Sequence, residues 1–80
     1  MRAQDPTGQL DTYRRALGAR VRARRLHQNL TQEALADTAG IDRSTLQRIE
    51  GALNDPRLTH LWRLARALDI PLAELLTEAE

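Results

Sequence analysis

QEALADTAGIDRSTLQRIEG, residues 32–51, has the pattern of two short helices joined at a tight turn. The first helix covers residues 32–39, where apolar side chains recur at helical spacing. Gly40 follows it directly, and glycine commonly ends a helix there in the left-handed conformation. The second helix covers residues 43–50, or 43–51. Small residues on the apolar stripe of the first helix allow the two to cross closely.

Polar residues at the starts of the two helices favour these boundaries. Thr31 can cap the first helix with its hydroxyl, and Asp42 can cap the second. Glu33 stands in the first turn, where its charge opposes the positive end of the helix dipole. In the second helix, five polar residues lie outside the core: Arg43, Ser44, Thr45, Gln47 and Arg48. A polar, arginine-bearing second helix is what reading of the DNA major groove requires.

The rest of the chain predicts three more helices and no strand. Residues 1–10 contain proline and glycine without periodicity and are interpreted as a loose tail. Helix 1 is expected over residues 11–29, with an aspartate as its N-cap and an asparagine at its end. Helix 4 covers residues 58–68, and helix 5 runs from residue 72 to about 77. Because nothing alternates with a period of two, the fold class is all-α, with one five-helix domain over residues 11–77.

The apolar residues predict the core. In helix 1 they recur at roughly helical spacing: Leu10, Tyr13, Leu17, Val21 and Leu26. In helix 4 the positions expected to be buried are Leu58, Leu61, Leu64, Ala65 and Leu68. Four further apolar residues exceed what one small core can hold: Leu53, Trp62, Leu72 and Leu76. Such a surplus is typical of a contact between two copies, and completion of the core by Trp62 is the alternative.

Length and composition exclude several classes of protein. Eighty residues allow one domain, near the lower size limit for a core without disulfides or metals. There is no cysteine, and His27 and His60 stand far apart, so neither a metal site nor a cofactor is expected. No nucleophile–base spacing points to an enzyme. No apolar run reaches the ~20 residues of a membrane span, and residues 1–10 lack the apolar stretch of a signal peptide, so a cytoplasmic protein is expected.

The charges are divided unevenly along the chain, although the net charge is only +1. Up to Arg48 there are nine arginines against five acids, and from Ile49 onward there are three arginines against six acids. The basic part therefore contains the two helices of the hairpin, as expected for contact with a polyanion. A solvated helical surface of mixed charge is the alternative, and the asymmetry alone does not distinguish the two.

Several segments together resemble the XRE family, the helix-turn-helix group of phage repressors and Cro proteins. LGARVRARRLHQNL (residues 17–30) resembles the family's first helix, and LTQE (residues 30–33) resembles its L-[ST]-Q-E start of the second. Ile49-Glu50, Pro56 and LWRLARALDIPLAELL (residues 61–76) are similar to its later helices. The resemblance implies a compact five-helix, lambda-repressor-like domain that binds double-stranded DNA through a helix-turn-helix over residues 32–51.

The second helix of the hairpin is expected to read bases, because its N-terminal residues lie nearest the base edges in the major groove. An arginine there can make two hydrogen bonds to guanine, worth ~1–3 kcal/mol of discrimination. The resemblance points to the same positions, and the predicted base-contacting residues are Arg43, Ser44, Gln47 and Arg48. The alternative is that Arg48 pairs with a neighbouring acid and Arg43 is merely solvated.

Phosphate contacts are expected from the start of helix 2, where free N–H groups and the helix dipole suit an anion. The family uses the glutamine that matches Gln32 in this way. The full predicted set is Arg22, Arg25, Thr31, Gln32, Thr45 and Asn54. A capping role for Thr31 is compatible with such a contact, because its backbone N–H remains available.

Arg25 and Glu50 match a pair that, in the family, forms a partly buried salt bridge between helix 1 and the end of helix 3. Arg25 is therefore expected to be structural first and phosphate-binding second. After this pair, the sequence departs from the family pattern at two places. The family pattern is Glu-x-Gly, whereas here glycine comes one place earlier, in Glu50-Gly51-Ala52. The next loop is usually basic but here contains Asp55, which would oppose a phosphate.

The leading hypothesis is a transcriptional regulator, such as a repressor, that binds a two-fold-symmetric operator as a homodimer. Two alternatives stay open: the antitoxin or protein-binding module of a toxin–antitoxin pair, and the controller protein of a restriction–modification system. A toxin or other protein partner would favour the first of these. The sequence itself indicates neither the operator nor an effector.

Overall fold

The computed structural model describes residues 7–77, and within them it contains five α-helices and no strand. In chain order these are α1 (Gln9–His27), α2 (Gln32–Ala39), α3 (Arg43–Glu50), α4 (Leu58–Leu68) and α5 (Leu72–Leu76). The all-α prediction of five helices is confirmed. The bounds of α2, α3 and α4 are those predicted, and α5 ends one residue before the predicted limit.

The two ends of α1 differ from the prediction by two residues each. The helix begins at Gln9, and its N-cap is Gly8 in a left-handed conformation (φ 75°) rather than Asp11, which lies in the first turn. It ends at His27, and the left-handed residue is Asn29 (φ 59°), as predicted, two places later. Residues 9 and 10, which were predicted to belong to the tail, are thus helical, and residues 1–6 of that prediction lie outside the described residues.

Four of the five helices end in the same way. A left-handed residue follows each of α1 to α4, and an apolar residue comes next. The N–H of that apolar residue donates to a carbonyl five residues earlier, at 3.0–3.1 Å, which satisfies an otherwise free group of the last turn. The left-handed residues are Asn29, Gly40, Ala52 and Asp69, and the apolar residues are Leu30, Ile41, Leu53 and Ile70. All of these apolar residues pack against the core except Leu53, which is 74% exposed.

The core lies where α1 crosses α3 and where α2 and α5 meet α4. Gly18 of α1 is buried, and a Cβ there would stand 2.8 Å from the carbonyl oxygen of Glu50 and closer still to that of Ile49. A glycine is thus required because the backbone of α3 lies directly on α1. The core members are Leu17, Val21, Leu35, Ala36, Ala39, Leu46, Ile49, Leu61, Leu64, Ala65, Leu68 and Leu75.

Several residues predicted to be buried are exposed. Leu10, Tyr13 and Leu26 in α1 are about half exposed, and Leu58 in α4 is 66% exposed. A helix of 19 residues is about 28 Å long, whereas one of eight residues reaches about 12 Å. The apolar stripe of α1 therefore extends past the short helices at both ends. Leu58 is the first residue of α4, at the exposed end of that helix.

Trp62 does not complete the core, because 49% of it is exposed. The guanidinium of Arg66 lies over its ring, 4.9 Å from the centroid, as in a cation–π contact. Leu53 and Leu76 are also exposed, whereas Leu72 packs on the edge of the core. Most of the surplus apolar residues therefore remain on the surface. Across residues 7–77, no helix has the length and apolar character needed to cross a bilayer.

Candidate nucleic-acid interface

The polar face of α3 is turned outward. Arg43, Ser44, Gln47 and Arg48 are exposed, and Thr45 is partly exposed, while Leu46 and Ile49 fix the opposite face in the core. Within residues 7–77, neither Arg43 nor Arg48 forms an ion pair with an acid. Asp42 precedes α3 in an extended conformation, but its side chain makes no capping hydrogen bond. Both arginines are thus available to an external acceptor.

The start of α2 is capped by Thr31, whose hydroxyl oxygen accepts a hydrogen bond from the N–H of Ala34 at 3.0 Å. Gln32, the first residue of the helix, is half-buried. Its amide donates to the Oε1 of Glu50 at 3.1 Å, a contact that the sequence pattern does not predict. One of the two amide hydrogens of Gln32 is therefore used inside the protein.

Arg25 and Glu50 meet in a buried bidentate pair. The Nε of Arg25 donates to Oε2 of Glu50 at 2.8 Å, and Nη2 donates to Oε1 at 2.9 Å. Only 9% and 5% of the two side chains are exposed. The remaining Nη1 donates to the carbonyl of Leu30 at 2.9 Å. The hydrogen bond to Glu50 raises the pKa of Arg25 above its ordinary value, because it stabilises the charged guanidinium.

A cleft of about 210 Å³ separates α3 from the loop that leads to α4. It brings together three residues predicted to contact DNA, which are Thr45, Arg48 and Asn54. Arg57 and His60 line the same cleft, and sequence reasoning missed them. Arg57 is the N-cap of α4 and His60 lies in its first turn, so both reach this cleft because the start of α4 lies beside α3, a tertiary placement that the sequence does not indicate.

Arg22 lies away from this cleft. It is exposed and lines a separate depression between α1 and the end of α3, together with Arg15, Gly51 and Ala52. The interface predicted from sequence thus has two basic edges, one on each side of the end of α3. Arg22 supplies a charge on the α1 side.

The acid in the loop after α3 is paired within the protein. Asp55 accepts a hydrogen bond from Nε of Arg14 at 2.6 Å, and the two groups form an ion pair. Asp55 itself remains largely exposed. The arginine therefore offsets part of the repulsion that the sequence predicts between this loop and a phosphate.

A model of the helix-turn-helix family matches residues 21–75. The chain belongs to the helix-turn-helix family. The resemblance to XRE-type phage repressors is thus confirmed, together with a DNA-binding, transcription-regulating class of protein rather than an enzyme.

Individual similar proteins support this family assignment. The chain is 29% identical over 62 residues to the cryptic phage CTXphi transcriptional repressor RstR of Vibrio cholerae, covering 78% of this chain and 56% of the relative. It is 37% identical to the restriction-modification controller protein C.AhdI of Aeromonas hydrophila, covering 78% of this chain and 94% of that one, with a TM-score of 0.75. The N-terminal DNA-binding domain of SinR from Bacillus subtilis is 28% identical, with 82% and 97% covered and a TM-score of 0.78.

Proposed function

We propose that this chain binds a two-fold-symmetric operator as a homodimer, with α3 as the recognition helix. The observation that supports it is the outward face of α3, where two arginines stand without an acidic partner in the described chain. Arg43 begins the helix, and Arg48 lies further along its exposed face. Each can donate two hydrogen bonds to a guanine edge, and Ser44 and Gln47 add shorter polar contacts.

The phosphate contacts of the proposal surround α3. The dipole and free N–H groups at the start of α2 attract one phosphate, with Thr31 and Gln32 beside it. Thr45, Asn54 and Arg57 offer contacts from the cleft after α3, and Arg22 offers one from α1. Arg25 is bound on all its nitrogens by Glu50 and Leu30, so we assign it a structural role.

Dimerisation belongs to the same proposal. One small domain reads only a few base pairs, which is too little for useful specificity against genomic competitors. Exposed apolar side chains on α4, α5 and the α3–α4 loop are available for a contact between two copies: Leu53, Leu58, Trp62 and Leu76. An isologous dimer would present two α3 helices to half-sites one turn of DNA apart.

A second candidate is the controller protein of a restriction–modification system. The chain covers 94% of the controller protein C.AhdI at 37% identity, whereas it spans only about half the length of the repressor RstR. Both candidates share the DNA-binding step and differ in the regulated gene. A neighbouring methyltransferase gene would favour the controller, and co-purification of a stoichiometric toxin would favour the antitoxin alternative.

Competition binding on a randomised half-site library tests the proposal. Arg43→Ala and Arg48→Ala should each cost ~1–3 kcal/mol on the preferred site and relax the preference at one symmetric pair of positions. Gln32→Ala should weaken binding to all duplexes alike. Arg24→Ala is the matched control, because Arg24 pairs with Glu74 of α5 at 2.7 Å. Unchanged base preferences in both α3 variants would mean that α3 is not the reader.

A further inference from the structure

The carboxylate of Glu50 accepts hydrogen bonds from two different helices. Its Oε1 accepts hydrogen bonds from Nη2 of Arg25 at 2.9 Å and from Nε2 of Gln32 at 3.1 Å. Its Oε2 accepts one from Nε of Arg25 at 2.8 Å. Glu50 is the last residue of α3, and Gln32 is the first of α2. The end of the proposed reading helix is therefore tied to the start of the helix that we expect to meet a phosphate.

This contact fixes which way the Gln32 amide faces. An ionised carboxylate only accepts hydrogen bonds, so the NH₂ group of the glutamine, and not its oxygen, must face Glu50. The carboxylate is itself immobile, because 95% of its side chain is covered and Arg25 holds both of its oxygens. The second amide hydrogen is thus set in one direction before any ligand arrives.

We propose that Glu50 is a positioning residue for DNA binding, which acts by holding the Gln32 amide ready for a backbone phosphate. A free glutamine loses rotamer freedom when it binds, and a side chain held in place beforehand avoids that loss. The inference rests on the proposed function, and it adds a role for Glu50 beyond its salt bridge. Glu50 touches no DNA in this account.

A simple Glu50 variant would not test this role, because it would also release the charge of Arg25. The freed guanidinium could then bind a phosphate itself. The comparison is therefore made between two double variants that share Arg25→Met and replace Glu50 by an uncharged residue, so that neither partner of the pair is charged. Arg25→Met/Glu50→Gln keeps an oxygen that can accept from Gln32, whereas Arg25→Met/Glu50→Leu removes every acceptor.

Binding of both double variants to the same duplex should differ by about three- to tenfold in Kd, in favour of Glu50→Gln, which is the size of one net hydrogen bond. The salt dependence should be equal in the two, because they carry the same charge. Adding Gln32→Ala to each should abolish the difference in Kd. A difference that persists without Gln32, or no difference with it, would overturn the inference, and thermal melts confirm that the compared proteins are folded.

A measurement on the wild-type chain supplies an independent test if a variant fails to fold. The side-chain NH₂ group of Gln32 should show nuclear relaxation close to that of the backbone before DNA is added, unlike that of exposed Gln47. A Gln32 amide as mobile as Gln47 would overturn the inference. Failure of the wild-type chain to bind any duplex would instead count against the proposed function, so the two failures are distinct.

Discussion

Ala52 occupies the left-handed position that ends α3, and Gly51 stands one residue before it. The φ of Ala52 is 57°, whereas that of Gly51 is −87°, a value that any residue adopts. A Cβ in the left-handed region lies close to a carbonyl oxygen and costs roughly 1–2 kcal/mol. Because glycine stands one residue too early, alanine occupies the left-handed position, and this is a source of backbone strain. The other left-handed residues of the described chain are Gly8, Asn29, Gly40 and Asp69, types that tolerate the conformation.

Ala52→Gly should raise the free energy of unfolding by about 0.5–1 kcal/mol, because the relief of strain exceeds the entropy that glycine adds to the unfolded chain. Thermal melts and urea titrations measure it. Gly40→Ala is the control of opposite sign, since Gly40 has φ 72° and an added Cβ would stand 3.2 Å from Nη1 of Arg63. A lower melting temperature for Ala52→Gly would show that α3 does not end under strain.

Gly18→Ala should lower the free energy of unfolding by about 1–3 kcal/mol, although alanine is the better helix former. The reason is the carbonyl oxygen of Glu50, 2.8 Å from the added Cβ, which belongs to backbone and cannot move alone. Ala23→Ser on the exposed face of α1 is the control and should change stability by about 0.5 kcal/mol or less. A stabilised Gly18→Ala variant would contradict the close crossing of α1 and α3.

Arg25→Met and Glu50→Leu should each destabilise the fold by roughly 3–5 kcal/mol, because each leaves a buried charge without its partner. The double variant should recover much of the loss, since no charge then remains buried. Urea titration of the wild type, the two single variants and the double variant gives the coupling energy. Losses that simply add in the double variant would count against a coupled pair.

Arg57→Ala should weaken binding to every duplex and reduce the salt slope by about 1, as expected for the loss of one phosphate contact. Arg57 lines the same cleft as Arg48 and Asn54, beside the outward face of α3. Arg66→Ala is the control, because that guanidinium lies on Trp62 instead. An unchanged salt slope in Arg57→Ala would remove the residue from the proposed interface.

Sedimentation should show a dimer at micromolar concentration or on DNA, with half-sites centred ~10 bp apart or a multiple of one helical turn. Trp62 is half exposed, so its fluorescence offers a second signal if α4 takes part. A strictly 1:1 complex of one chain with its operator would contradict the homodimer.

The sequence was sufficient for the helix hairpin because its signals are local. Thr31, Gly40 and the periodicity of Leu46 and Ile49 each depend on neighbours within one turn, and the bounds of α2 and α3 match the structure. The Gln32–Glu50 contact could not be predicted in this way. It depends on how two helices cross. The sequence around a half-buried glutamine does not differ from that around an exposed one.

The sequence also did not predict which apolar residues are exposed at the ends of a long helix. Periodicity identifies the apolar stripe of α1 but not where the neighbouring helices end, so the prediction that Leu10, Tyr13 and Leu26 belong to the core is wrong. The prediction of Asp11 as the N-cap is wrong, because the actual N-cap, Gly8, has no capping side chain by which the sequence could reveal it. Arg57 was not predicted for a similar reason: it is the N-cap of α4, and only the packing of α4 places it beside α3.

The shared ending of α1 to α4 has a consequence for how the chain folds. Each of these endings is closed by hydrogen bonds between residues at most five apart, so it forms together with its own helix. Little loop-closure entropy is then lost before the helices collide. Helical domains dominated by such local contacts fold in microseconds to milliseconds. The slow step should be the docking of α1 on α3 at Gly18, where the fit allows one arrangement of the two backbones.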